Sequence, residues 1–254
     1  SVAVPWPAGG RRAAEGEGLR SFRQGALLRL RRSLLEQGWD VSAVGLGGRV
    51  PVLGARRGAG GRALDITVRN ELGLLKSALL REYASLDPRL RDLVRAVKHW
   101  ARRRAVYGQS GGYPGGYSYT LLAIFFAQNS SPPLVPSLQG LAPRASPWRG
   151  DGGTDFDVAW LPAASVRGRG VEAAEGWTSA ALVCGFFDFY GRRFDYAREA
   201  ASVRLGCRAV SSARARAPTA MGPPARARLA LEDPLETEWD LGAVLDAARG
   251  ARLR

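Results

Sequence analysis

At Asn70 the hydrophobic period of this chain changes, and that change limits the folds open to it. Before it, Leu64, Ile66 and Val68 alternate with Asp65 and Thr67, the pattern of a half-buried strand with an acid on its polar face. After it, ELGLLKSALLREYA, residues 71–84, places its apolar positions at helical spacing. Strand patterns are confined to the first part and helical patterns dominate the rest, which implies an α+β fold class.

Upstream, Phe22 to Gln37 reads as an amphipathic helix with Leu27, Leu28, Leu30, Leu34 and Leu35 as its apolar positions. Residues 1–20 show no period and are expected to be loose. Arg49 to Leu53 (RVPVL) is a short strand, and its Pro51 suggests an edge or a bulge. A Gly/Arg turn leads into the strand of Asp65. Downstream, Asp87-Pro88 supplies an N-cap and first-turn pair for a helix reaching about Arg104. Tyr117 to Gln128 is an apolar helix stopped by Pro132, Pro133 and Pro136, and Trp177 to Tyr190 is another. Residues 140–176 and 211–228 are expected as loops, and LEDPLETEWDLGAVLDAARG ends in a short helix. No internal repeat is evident. The division this implies is 1–69, a small α+β piece, and 70–254, a helical domain.

Composition narrows the chemistry. The 254 residues hold 37 Lys and Arg against 23 Asp and Glu, a formal charge of +14. That balance fits a polyanionic partner, nucleic acid or nucleotide first, although only Lys76 and Lys98 are lysines and a genome-wide arginine bias explains part of it. One histidine, His99, argues against His-rich metal sites and a histidine triad. Cys184 and Cys207 form neither a disulfide framework nor a zinc spacing, so a reducing compartment is expected: the cytoplasm first, with nucleus and organelle left open. No apolar run reaches the roughly 18–20 residues of a membrane span. The chain opens on Ser1 and its sole methionine is Met221, which reads as a processed product or a piece lacking its start.

Four stretches carry chemistry. Asp65 stands alone on its strand, whereas two-ion phosphoryl transfer needs several oxygen ligands. In AVKHWARRR, residues 96–104, Lys98 and Arg102 are four apart and share a helix face, either a solvated basic surface or a triphosphate clamp. A chain that has nearly lost lysine keeps one here. SGGYPGGYSYTLL, residues 110–122, runs glycines into a helix start, a place for an anion, with Tyr113, Tyr117 and Tyr119 as stacking faces or core packing. LEDPLETEWDLG, residues 231–242, concentrates acids that either cap a surface turn or read the polar edge of a base. Walker A and GxGxxG motifs are absent, which rules out P-loop and Rossmann readings.

In this order the stretches resemble the terminal uridylyltransferases and noncanonical poly(A) polymerases of the polymerase-beta-like nucleotidyltransferase superfamily. The family's valine-proline strand is matched by RVPVL and its Asp-Ile strand by LDITVRN. Its Asn-x-Leu-Ala-x-x-Asn-Thr-x-Leu-Leu helix is matched by NELGLLKSALL, and its Val-Lys-x-Trp-Ala helix by VKHWARRR. GYPGGY stands for Gly-Thr-Leu-Ser-Ser-Tyr, followed by PSLQ, GFFDFY and EDPL for three later segments. The similarity covers residues 22 to 248.

The resemblance implies a partial nucleotidyltransferase palm followed by a mostly helical PAP-associated central domain. The activity it implies is template-independent addition of uridylyl or adenylyl residues from UTP or ATP to an RNA 3′ end, with Mg²⁺ or Mn²⁺. Asp65 falls on the third catalytic, metal-binding carboxylate. Asn70 and Ser77 fall on ribose- and hydroxyl-contacting positions, and Lys98 and Arg102 on the triphosphate-binding cations. Gly116 stands where a phosphate-binding serine is usual, Tyr117 falls on the base-stacking aromatic, and Asp233 and Glu236 fall on acids near the base edge.

Three departures accompany the match. Lys76 replaces an asparagine sugar contact. Trp239 stands where uridylyl-adding members commonly have a histidine, which leaves UTP against ATP open. Nothing upstream of Asp65 matches the Gly-Ser and Asp-x-Asp strand that holds both metals, since Glu15 and Glu17 lack the strand and the Gly-Ser, so the first half of the palm is expected to be absent from this chain. The competing expectation is a degenerate relative that binds RNA or nucleotide without chemistry.

Overall fold

The computed structural model describes residues 12–45, 50–150, 154–167, 176–196, 198–210 and 229–245. The expected loop at 211–228, residues 1–11 and the end of the last helical stretch lie outside the described residues. Contacts group the chain into two units, residues 1–75 with 147–156, and residues 76–146 with 157–254.

In the first unit, helix α1 (Arg12–Glu36) precedes an antiparallel sheet of β1 (Asp40–Gly45), β2 (Val52–Arg56) and β3 (Leu64–Ile66), in that spatial order. The helix begins at Arg12, not Phe22, so the second half of the stretch expected to be loose is helical. Its apolar stripe is narrower than the leucine count suggests: Leu19 and Leu27 are buried, whereas Leu28 and Leu35 are exposed. Leu53 and Ala55, two apart on β2, turn inward by the strand's period of two and complete this small core. Pro51 sits just ahead of β2, and β2 is the central strand, which corrects the expected edge. A proline before the first ladder position costs no ladder hydrogen bond. Strand β1 escapes a pattern reading because its pairing shifts register between Asp40 and Ala43, which breaks strict alternation.

The stretch 140–176 is not a plain loop. It carries a hairpin of β4 (Pro147–Arg149) and β5 (Asp155–Asp157) and a short helix, α5 (Ala163–Arg167). Trp148 and Phe156 stack across the hairpin with ring centres 5.9 Å apart. Cross-strand aromatic pairs of this kind hold an otherwise polar hairpin in register.

The second unit is helical. Helix α2 (Glu71–Leu86) begins in the first unit and runs into the second. Helix α3 (Pro88–Arg103) follows, opened by Asp87, whose carboxylate accepts from the Arg89 amide at 2.8 Å. The Arg89 guanidinium grips the same carboxylate at 3.0 and 2.6 Å and donates to the Trp177 carbonyl at 2.7 Å. Leu90, Leu93, Val97 and Ala101 form the buried stripe of α3. Helix α4 (Gly116–Gln128) is buried on all sides from Ser118 onward, so it is the axis of the unit. Helix α6 (Ser179–Asp188) starts at a Thr178 cap and continues into a wider turn, Phe189–Arg193. There Phe186 and Phe189 pack on Phe125 and Phe126 of α4, and Tyr190 packs on Phe186 and Phe189 and donates to the Leu122 carbonyl, so three aromatics of the GFFDFY motif are core.

A last hairpin, β6 (Glu199–Ser202) with β7 (Cys207–Val210), pairs through Ala201 with Leu231 and so receives the acidic C-terminal segment. That segment ends the described chain in a single tight turn, Leu241–Val244. A Cβ on Gly242 would lie 2.0 Å from the Leu229 carbonyl oxygen, so the return of the segment on itself requires glycine there.

Candidate functional site

Asp65 belongs to the first unit. Antiparallel pairing of β3 with β2 sets it opposite Gly54, on the sheet face turned away from the buried Leu53 and Ala55. It is exposed, as is Thr67, so the polar face read from the sequence is polar in the fold. Leu64 is exposed as well, at 41%, and the apolar row is therefore weaker than its letters suggest. Among the described residues no three His, Cys, Asp or Glu side chains gather to hold a metal ion. One exposed carboxylate does not fit the ligand demand of two divalent ions. Asn70, also in the first unit, accepts from the Gly73 amide at 3.2 Å and so caps α2.

The second unit gathers the cations and the tyrosine. Lys98 projects from α3 toward the start of α4, where its Nζ lies 3.5 Å from Thr120 Oγ1. Thr120 in turn donates to the Gly116 carbonyl at 2.8 Å. No side chain caps the first turn of α4 at Gly115. Lys98 makes no ion pair among the described residues, and burial together with the nearby Arg102 guanidinium holds its pKa below the ordinary lysine value. A half-buried cation beside an uncapped helix N-terminus is poised for an anion. Arg102, one turn further on, donates to the Tyr107 hydroxyl at 3.0 Å and packs its guanidinium 4.4 Å from the centre of that ring. Tyr107 stacks in parallel on Tyr119 at 6.0 Å, and Tyr119 donates to the Val106 carbonyl.

Gly116 has a steric reason. A Cβ there would sit 2.6 Å from the Tyr107 hydroxyl and 3.4 Å from Lys98 Cε. The serine usual in the resembling family does not fit while Tyr107 holds Arg102. Ser77 is exposed on α2 and lines, with Leu80 and Arg81, a cleft of about 330 Å³ closed by Leu90, Val94 and Lys98 of α3 and by Thr120 and Ile124 of α4.

At the other end stand Tyr117 and the acids. Asp233 is completely buried. Its Oδ1 accepts from the amides of Leu235 and Glu236 at 3.0 and 3.1 Å, which folds the turn after Pro234. Its Oδ2 accepts from Lys76 Nζ at 2.5 Å, and the same ammonium bonds to Glu236. Lys76 Nζ also lies 5.4 Å from the centre of the Tyr117 ring. The Tyr117 hydroxyl is buried without a partner in full hydrogen-bonding geometry. Burial, then the negative charge of Asp233 and Glu236, pushes its pKa far above the usual phenol value. The Gln139 side chain donates to the Pro234 carbonyl at 2.8 Å, so the PSLQ motif positions the acidic turn. Trp239 is 43% exposed, and its backbone closes the turn against Asp233 and Glu236.

Sequence reasoning passed over two of these residues and read Lys76 only as the loss of a sugar contact. Tyr107 and Thr120 lack any pattern that marks them. Lys76 had one, since it is the only lysine besides Lys98.

Comparison with known proteins places this arrangement. Residues 180–238 match the model of the Cid1 family poly A polymerase, and residues 89–133 that of the poly(A) polymerase central domain. The poly(A) RNA polymerase GLD2-A of Xenopus laevis is 28% identical over 162 residues, covering 62% of this chain and 30% of that protein. The poly(A) RNA polymerase cid13 of Schizosaccharomyces pombe is 33% identical over 147 residues, covering 56% of this chain and 24% of that protein. The chain thus spans less than a third of the length of either relative. Among solved structures, the Cid1 poly(U) polymerase with Mg 3′-dATP bound superposes with a TM-score of 0.72 at 24% identity, covering 91% of this chain and 68% of that one. Motif order, two matching family models and a shared fold agree in making this chain similar to the Cid1-type poly(A) polymerases.

Proposed function

We propose that this protein serves in a template-independent RNA 3′-terminal nucleotidyltransferase that takes UTP or ATP. The observation that carries the reading is Lys98: a half-buried ammonium without a carboxylate partner among the described residues, at the uncapped start of α4. The relatives' names and the bound nucleotides of the solved neighbours support it.

In this reading Lys98, Arg102 and the first-turn amides of α4 hold the triphosphate, and Tyr117 offers its ring to the base. The RNA 3′-hydroxyl oxygen bonds to the α-phosphorus and the bond from that phosphorus to the β-phosphate bridge breaks, releasing pyrophosphate. Asp65 is the carboxylate to which the hydroxyl proton and its orientation are assigned. A divalent ion, when bound, neutralises charge on the transferring phosphate. Asp65, a single exposed carboxylate, does not fit two such ions.

The test is extension of a labelled RNA, with each of the four nucleoside triphosphates in turn and with Mg²⁺ or Mn²⁺. Extension with UTP or ATP that is lost in Asp65→Ala is expected. Nucleotide binding with no extension under any of these conditions overturns the catalytic reading in favour of a binding-only relative.

A further inference from the structure

Lys76 is the unusual residue of the site. Its ammonium has three protons and no acceptor. Two of them go to Asp233 and Glu236. Lys76 keeps some exposure, with 14% of its side chain open, whereas Asp233 has none. Both oxygens of Asp233 are already used, Oδ1 by two backbone amides and Oδ2 by Lys76. A fully buried and engaged carboxylate does not reach a ligand. What the acidic turn presents beside the Tyr117 ring is the ammonium it holds.

We propose that Lys76 is a base-selecting residue, with Asp233 and Glu236 as the positioning residues that fix it. The inference rests on the nucleotide-site reading above. With Asp233 sealed and one Glu236 oxygen bonded to Lys76, the ammonium is the donor held at the edge beside Tyr117. A donor pairs with a carbonyl oxygen, which uracil carries at two positions and adenine at none. Adenine offers ring-nitrogen acceptors instead, and beside N1 and N7 it sets an exocyclic amine that faces the ammonium donor to donor. Polar mismatch in a site of this kind discriminates more strongly than shape does. The structure thus assigns a preference for UTP over ATP to a residue outside the Trp239 position.

Calorimetric titration of the protein with UTP, ATP and inorganic triphosphate, without RNA, tests this. UTP is expected to bind about 10-fold more tightly than ATP. Lys76→Asn is expected to erase or reverse that ratio while triphosphate binding holds, and Lys76→Arg to keep its direction. Because Lys76→Asn leaves two close carboxylates uncompensated, Lys76→Asn with Glu236→Gln provides a variant relieved of that repulsion. An unchanged UTP-to-ATP ratio in either asparagine variant, or a wild-type preference for ATP, overturns the role of Lys76 alone. Failure of all three ligands to bind overturns the nucleotide site on which it rests.

Discussion

Two positions around the start of α4 can each be tested alone. Burial and the Arg102 guanidinium hold the Lys98 pKa below the lysine norm. Charge-assisted hydrogen bonds contribute about 1.5–3 kcal/mol. Lys98→Ala is therefore expected to weaken triphosphate binding roughly 10- to 100-fold, measured by titration. Binding needs the ammonium, so affinity in the wild type should decline as pH rises toward the lowered lysine value, and the variant should lose that decline. Gly116 sets the second test. Gly116→Ser forces a side chain onto the Tyr107 hydroxyl, 2.6 Å from the would-be Cβ. A cost of about 1–3 kcal/mol is expected from such overpacking. Tyr107→Phe in the same chain should recover part of it, read in urea midpoints. A Gly116→Ser variant with undiminished stability would contradict the steric account.

Among the elements, α3 is best explained by its first residues. Asp87 caps the helix and also receives the Arg89 guanidinium. Burial works to raise its pKa, but the Arg89 hydrogen bonds win and the net shift is downward. A depressed carboxyl contributes stability above its ordinary pKa of 3.8, and that contribution disappears as pH falls through the lowered value. Asp87→Ala should cost about 1–2 kcal/mol at neutral pH, with the gap to wild type closing in acid. This helix, α2, α4 and α6 were legible in the sequence because long apolar periods and an Asp-Pro start survive any tertiary context. The short strands were not. Strand β1 lost its alternation to a register shift, and β4 and β5 are three residues each, held by one aromatic pair. At the site, Lys98, Arg102, Gly116, Tyr117 and the acids could be named from motif order. The bond from Lys76 to Asp233 spans a sequence separation of 157, and no local pattern encodes such a pairing.

The second unit as a whole is tied together at Tyr83 on α2. Its hydroxyl, fully buried, accepts from Gln128 at the end of α4 at 3.1 Å and from the Leu138 amide at 3.0 Å. Gln128 also donates to the Val203 carbonyl at 3.0 Å, just past β6. Tyr83→Phe strips two buried donors of their acceptor and should cost about 1–3 kcal/mol. Burial pushes the Tyr83 phenol up to about 12 from 10.0. For a raised tyrosine the linked stability is whole below the ordinary value and is lost as pH climbs through the raised one. Unfolding midpoints should therefore fall between pH 10.0 and about 12, and fall less in Tyr83→Phe, where this phenol is gone.

The ion triad has one more consequence, for the order of events on approach. One ammonium shared by two carboxylates leaves a negative charge at the Tyr117 end, whereas Lys98 and Arg102 leave two positive charges at the start of α4. The site is thus a dipole before anything enters it. A ligand with all its negative charge at one end is turned by that field while still in solution, and a reversed encounter is repelled where that charge meets the acidic end. Orientation is then settled during diffusion, ahead of any contact with the ring, and salt should slow capture more than it speeds release.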